Sequence, residues 1–229
     1  MPSGPNAYKV LLILEELSLP YTLHPFPFSE VKQPPFTDLN PNGRNPAIQD
    51  PNTDLTLWES GAIVQYLISQ YDVTHKLTYE DVNRKHQLNQ FMMFQMSGQG
   101  PYYGQAGWFT YYHPEKIPSA IERYRAEIRR VLGVLEVVLE RSGTGWLVGD
   151  KCTYADLAFL PYNTHLEAFL QCGREERFEG CPRVKEWHER MEGKGSWKKC
   201  TEVRVRLMSE QGLGPDGRPK EVESKGEGE

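Results

Sequence analysis

One run of residues constrains the fold of this chain more than any other. Ile117, Ile121, Tyr124, Ile128, Val131, Leu135 and Val138 follow one another at steps of 4, 3, 4, 3, 4 and 3. Such spacing keeps one apolar seam on one face of an α-helix. Held over three heptads, it commits this region to a long helix packed along its length. "TYADLAFLPYNTHLEAFL" (153–170) predicts another helix, with a kink at Pro161. "CPRVKEWHERMEG" (181–193) predicts a shorter one, stopped by Gly193. From about residue 80 to 200, every long segment reads as helix.

The first third has another character. Val10, Ile13, Leu14 and Leu17 mark the i, i+3, i+4, i+7 face of a helix, and Pro5 suits its first turn. "LSLP" (17–20) ends it, and "YTLHPF" (21–26) reads as a strand with proline at its end or edge. "PPFTDLNPNGRNP" (34–46) reads as loop with one helical turn. "AIQD" and "LTLW" flank the turn-rich "PNTD", a hairpin signal, and an amphipathic helix starts near Ser60. Helix, strand, hairpin, helix makes a small α/β unit one strand short. Only five residues precede Asn6, too few for a strand and its exit loop.

Composition excludes several classes. A net charge of -5 argues against general nucleic-acid binding, which runs on clustered Lys and Arg. No apolar run approaches the roughly 18 residues of a membrane span, and no basic-then-apolar leader opens the chain. A cytoplasmic protein is the expectation. Cys152, Cys172, Cys181 and Cys200 form no C-x-x-C pair and lack zinc-ligand spacing with the histidines. Free thiols and no metal are therefore expected. The tail from about Gly212, charged and nearly free of apolar residues, reads as disordered.

Several short stretches carry possible chemistry. In "WESGAI" (58–63) a strand ends, an acid and a serine follow, and a helix begins. Ser60 reads as an N-cap, and the free N–H groups of that turn attract a carboxylate or phosphate. Glu59 beside them attracts an ammonium, so the pair can grip both charged ends of an α-amino acid. An ordinary capped helix explains the same residues. In "NPNGRNPAI" (40–48) a cis Pro46 would present the backbone of Asn45 to a peptide ligand. Ser3 and Asn6 place hydrogen-bond donors at the first helix's head, where they can serve a thiolate or simply cap the helix. "CTYADLAF" (152–159) has the form of a capping box, Thr153 with Asp156, and reads as a folding element. "SGQGPYYGQAGWFTYYH" (97–113) puts six aromatics and four glycines into one helical stretch. Glycine there implies a close approach by another helix or a ligand. The aromatics can line an apolar pocket or serve core or dimer packing.

The order of these parts resembles a cytosolic glutathione transferase. The similarity runs over about residues 3 to 200 through "PNAYKV", "LNPNGRNPAI", "LWESGAIVQYL", "QMSGQGPYYGQA", "KIPSAIERYRAEIRRVLGVLE" and "WLVGDKCTYADLAFLPYN". It is closest to the fungal class that includes the yeast nitrogen-catabolite regulator and prion protein. The resemblance implies a thioredoxin-like N-terminal domain over 1–77, lacking its first strand, and an all-helical domain over 78–211, with 212–229 as tail. It implies glutathione as co-substrate, a small hydrophobic electrophile as second substrate, and a homodimer. The γ-glutamyl end falls to Glu59 and Ser60, the cysteinyl part to the backbone of Asn45, and the glycine carboxylate to Lys32 and Arg44. Asn6 falls near the glutathione sulfur, with Ser3 at the edge of the same turn; these two are the catalytic candidates. Gln95, Gln99, Tyr102 and Tyr103 are the second-substrate candidates.

Three departures stand beside the similarity. Asn45 occupies a position that is usually apolar, the Asn/Gln-rich prion segment is absent, and the first strand is missing. Either the chain starts earlier, another segment replaces the strand, or the site rests on an incomplete sheet. Three functions fit: glutathione attack on an electrophile, glutathione-dependent cis–trans isomerisation of a conjugated alkene in fungal secondary metabolism, or a non-catalytic regulator.

Overall fold

The computed structural model describes residues 4–27 and 29–214. Ser3 and the tail beyond residue 214 lie outside the described residues.

Helix α1 (Pro5–Glu16) is the axis of the molecule. Tyr8, Lys9, Val10, Leu11, Leu12, Ile13 and Glu16 are all buried, so it is enclosed rather than lying on a surface. It packs against α3 (Ser60–Tyr71), α7 (Tyr154–Asn163) and α10 (Gly195–Glu210). Burying Leu12 and Ile13 completely contributes about 1.5–3 kcal/mol each. Pro5 opens the helix, as its fixed φ favours. The chain leaves at Leu17 and Ser18, the latter at φ 54.

After α1 the chain runs through a coil to the short turn α2 (Phe36–Leu39) and the hairpin β1 (Ala47–Asp50) and β2 (Leu55–Trp58). The strands are antiparallel, with Ala47 opposite Trp58 and Asp50 opposite Leu55. Among the described residues the sheet has these two strands. The strand expected at 21–26 does not form: that segment has no neighbouring ladder to pair with, and Pro25 and Pro27 remove donors.

The rest is helical, as the seam required. Helix α4 (Val82–Phe94) runs into the π-helical turn Gln95–Gln99. Helix α5 (Gly100–Gly107) and a second π turn, Trp108–Tyr112, follow. The expected single helix over 97–113 is thus two wide turns around one regular segment. Gly107 answers the close-approach question: a Cβ there would lie 2.9 Å from Cε1 of Phe169, so the neighbour is another helix. Helix α6 (Pro118–Ser142) buries Ile128, Val131 and Leu135 of the seam and packs on α5 and on α9 (Pro182–Glu192).

Pro161 does not kink one long helix. The helix stops at Asn163, and α8 (Leu166–Leu170) begins separately. At the head of α7, Asp156 collects the Thr153 N–H at 2.9 Å, the Thr153 hydroxyl at 2.6 Å, the Leu147 N–H at 2.9 Å and the Trp187 indole N–H at 2.9 Å. All four cysteines are free thiols. No helix among the described residues is long and apolar enough to cross a membrane.

Candidate functional site

Three segments meet above α1. The first is the loop 40–46, wrapped around the buried side chain of Asn40. Its Oδ1 accepts the Asn42 N–H at 2.9 Å, and its Nδ2 donates to the Arg44 carbonyl. Gly43, at φ 59, has no room for a Cβ, which would sit 2.8 Å from the Val31 carbonyl oxygen. Lys32 reaches into the same loop, Nζ donating to the Asn42 carbonyl at 3.3 Å. The loop ends at Asn45–Pro46, whose peptide bond is cis, as the sequence suggested.

The second segment is the head of α3. The N-cap is Glu59, not Ser60, and no side chain caps the helix. Glu59 holds a left-handed backbone, φ 68 and ψ 111, which costs a non-glycine residue roughly 1 kcal/mol or more. Among the described residues its exposed carboxylate receives one hydrogen bond, a long one of 3.5 Å from Asn42 Nδ2. Ser60 is buried as the first helical residue, and its hydroxyl points 3.7 Å from Sδ of Met96. The expected serine cap is therefore replaced by a helix end whose first-turn N–H groups have no side-chain acceptor among the described residues. Such an end favours an anion.

The third segment is the head of α1. The Asn6 side chain hydrogen-bonds the Tyr162 hydroxyl on α7. Burial pushes that hydroxyl up to about 12, against the pull of Asn6 and of the Arg44 charge. Asn6, Arg44 and Tyr162 therefore form one neighbourhood.

Below these segments lies a polar interior that the sequence reading missed. Lys9 is 1% exposed. Its Nζ donates to Gln95 Oε1 at 2.7 Å, approaches Met96 Sδ at 3.3 Å, and stands 5.8 Å from the centre of the Tyr162 ring. Gln95 Nε2 passes the chain to Gln99 Oε1 at 3.0 Å. Gln99 Nε2 donates to Asn163 Oδ1 at 2.8 Å and to the Phe159 carbonyl at 3.3 Å. Burial pulls the Lys9 amine down to about 7, a fall that the Glu59 charge holds back. The signal was present in "AYKVLLIL": a helix apolar all round is buried, so a lysine inside it must be buried too.

This interior corrects the second-substrate candidates. Gln95, Gln99 and Tyr103 are fully buried, so they line no open pocket. Their spacing of four residues sets both glutamine amides on one inner face, where each finds a partner. Tyr102 stands apart from them, half-buried under the guanidinium of Arg130 at 5.9 Å. Among the described residues, no group of three or more His, Cys, Asp or Glu side chains is placed to hold a metal ion.

Comparison with known proteins agrees with this architecture. Residues 3–70 match the model of the glutathione S-transferase N-terminal domain, and residues 101–194 that of the C-terminal domain. The chain belongs to the glutathione S-transferase family. It is 50% identical over 195 residues to the glutathione S-transferase-like protein gedE of Aspergillus terreus, covering 82% of this chain and 86% of that relative. It is 37% identical over 225 residues to the transcriptional regulator URE2 of Saccharomyces cerevisiae, covering 82% of this chain and 62% of the regulator. Among solved structures it is similar to the glutathione transferase URE2P6 of Phanerochaete chrysosporium in complex with oxidised glutathione. That match has a TM-score of 0.85 and 46% identity, covering 90% of this chain and 94% of the other.

Proposed function

We propose that this chain binds glutathione where the 40–46 loop, the head of α1 and the head of α3 meet, and directs its sulfur at a small hydrophobic electrophile. The observation that carries the reading is the head of α3: an uncapped helix end beside Glu59, whose left-handed backbone presents a carboxylate to solvent. An uncapped end takes a carboxylate and a glutamate takes an ammonium, so together they fit the α-amino-acid end of a γ-glutamyl group. The backbone of Asn45 pairs with the cysteinyl part. Lys32 and Arg44, near one another through the loop at Asn42, meet the glycine carboxylate. Relatives of the same fold hold glutathione or its conjugates.

Asn6 stands at the sulfur side and Ser3 precedes it in sequence. Lowering a thiol from about 8.5 by roughly two units takes about 2.7 kcal/mol. One or two hydrogen bonds to a charged group, at about 1.5–3 kcal/mol each, supply it. The thiol proton passes to solvent and the thiolate bonds to the electrophilic carbon; the displaced electron pair leaves with the leaving group, or settles on the acceptor, which then takes a proton from solvent.

The test is calorimetric titration of glutathione into the full chain, with Glu59→Ala and Ser60→Ala beside it. Both variants are expected to weaken binding by about tenfold or more. No binding by the folded wild type would refute the reading; wild-type affinity in both variants would refute the placement. A product heavier by glutathione assigns conjugation, and a product of unchanged mass with altered alkene geometry assigns reversible addition. Binding with no turnover of either kind assigns a regulatory role. A homodimer is the expected working state, with a sedimentation mass near twice 26.4 kDa.

A further inference from the structure

The proposed site accounts for Glu59, Ser60, Asn6 and the 40–46 loop, but leaves a buried lysine unexplained. Burying an ammonium costs several kcal/mol unless it is paired, and methionine or leucine would fill the same space at no such cost. Among the described residues, Lys9 has no carboxylate within salt-bridge distance, and its acceptors are an amide oxygen and a thioether sulfur. The sulfur is the link to the site. Met96 Sδ touches Lys9 Nζ on one side and the Ser60 hydroxyl on the other, at 3.3 and 3.7 Å. Gly61 keeps that passage narrow, since a Cβ there would lie 2.9 Å from Met96 Cγ. One sulfur atom therefore separates the buried ammonium from the end of α3.

The charged and titratable groups around Lys9 are few. The head of α3 contributes Glu59, whose charge acts on the amine. Helix α7 contributes Tyr162, whose hydroxyl also feels Arg44. The π turn contributes only the neutral Gln95, Gln99 and Met96. From α10, the Arg204 charge acts on Tyr8. Burial draws Lys9 toward a titration near neutrality. Its protonated form places a positive charge beneath the point where an anion would dock.

We infer that Lys9 is a positioning residue for the glutathione site, and that the proton it carries sets the affinity of the site for the γ-glutamyl carboxylate. The inference rests on the glutathione reading. In the protonated state Lys9 holds Gln95 and Met96 and adds its charge to the partial charge of the helix end. In the neutral state that charge is lost. Across one intervening atom, a unit charge changes the affinity for an anion by roughly tenfold or more. Linkage makes the effect reciprocal: a docked carboxylate raises the proton affinity of Lys9, so binding near neutral pH takes up a proton.

The test uses S-methylglutathione, which has no ionisable thiol, titrated into the full chain at pH 7 in two buffers of different ionisation enthalpy. The wild type is expected to take up roughly half a proton on binding, and its affinity to fall about tenfold between pH 6 and 8. Lys9→Met is expected to bind with no uptake and a flat pH profile over that range. A purely structural lysine would weaken binding when replaced but leave the proton count and profile unchanged. Equal uptake in wild type and variant, or none in either, overturns the inference while leaving the glutathione reading intact. Absence of wild-type binding removes both. Should Lys9→Met not fold, wild-type lysine carrying a 13C label at Cε decides. A resonance titrating near neutrality and moving upward with S-methylglutathione is expected, and its absence overturns the inference.

Discussion

Glu59 combines a strained backbone with an exposed carboxylate, and the two can be separated by mutation. Alanine keeps the left-handed strain and loses the carboxylate, whereas glycine loses both. Glu59→Gly is therefore expected to be about 1 kcal/mol more stable to urea than Glu59→Ala, while both lose glutathione affinity. If Glu59→Gly bound as tightly as the wild type, the carboxylate would not be a contact. Lys9 makes a pH prediction of a different sign from the usual lysine pair. Its folded value lies near 7, below the unfolded 10.5, so between these values the unfolded chain holds more protons. Stability then rises with pH across that window, by up to about 1.4 kcal/mol per unit. Below 7 both states are protonated and the slope vanishes. Urea unfolding at pH 6.5, 8 and 9.5 should show the rise in wild type and not in Lys9→Met. The two residues differ in what the sequence shows of them: a left-handed glutamate leaves no compositional mark, whereas the burial of Lys9 is legible in the apolar run that surrounds it.

At the scale of elements, Asp156 shows what local patterning does reveal. The spacing Thr153-x-x-Asp156 announced a capped helix, and the helix begins at Tyr154. The sequence did not reveal that the same carboxylate also holds Leu147, in the loop before α7, and Trp187 on α9, contacts made only when that loop folds back and α9 docks. Asp156→Ala strips the acceptor from four buried donors, each costing about 1–3 kcal/mol when unmet. A loss of at least about 3 kcal/mol is expected in urea unfolding, and a change below about 1 kcal/mol would mean that water replaces the carboxylate. Helices α1, α3, α6 and α9 were legible because each shows a 3.6-residue pattern with Pro, Ser or Gly at an end. The segment 21–26 misled because strand propensity describes fitness for a ladder without supplying one. The π turns were invisible, since a wider turn leaves no residue signature and is set by what packs beneath it.

The whole molecule tests whether the two expected domains are separate bodies. The described residues before and after the expected boundary near 78 differ in architecture, yet α1 lies against α7 and α10 as well as α3. Glu16, 6% exposed, binds Lys194 at 3.2 Å and Lys76 at 3.4 Å and accepts from the Ser196 hydroxyl, so the end of α1 is anchored in the C-terminal half. Lys9 and Gln95 make a second tie. We propose that the boundary near residue 78 divides topology and not stability. Native-state hydrogen exchange on the full chain should then show α1 and α6 amides opening with the same free energy. Glu16→Ala leaves the half-buried Lys194 ammonium and the Ser196 hydroxyl without their acceptor and should lower both sets together by about 2 kcal/mol. Loss confined to α1, with α6 unchanged, would show that the N-terminal unit opens alone. Glutathione should raise both sets equally when unfolding is concerted, because a ligand held by α1 and α3 then stabilises the helical half as much as its own.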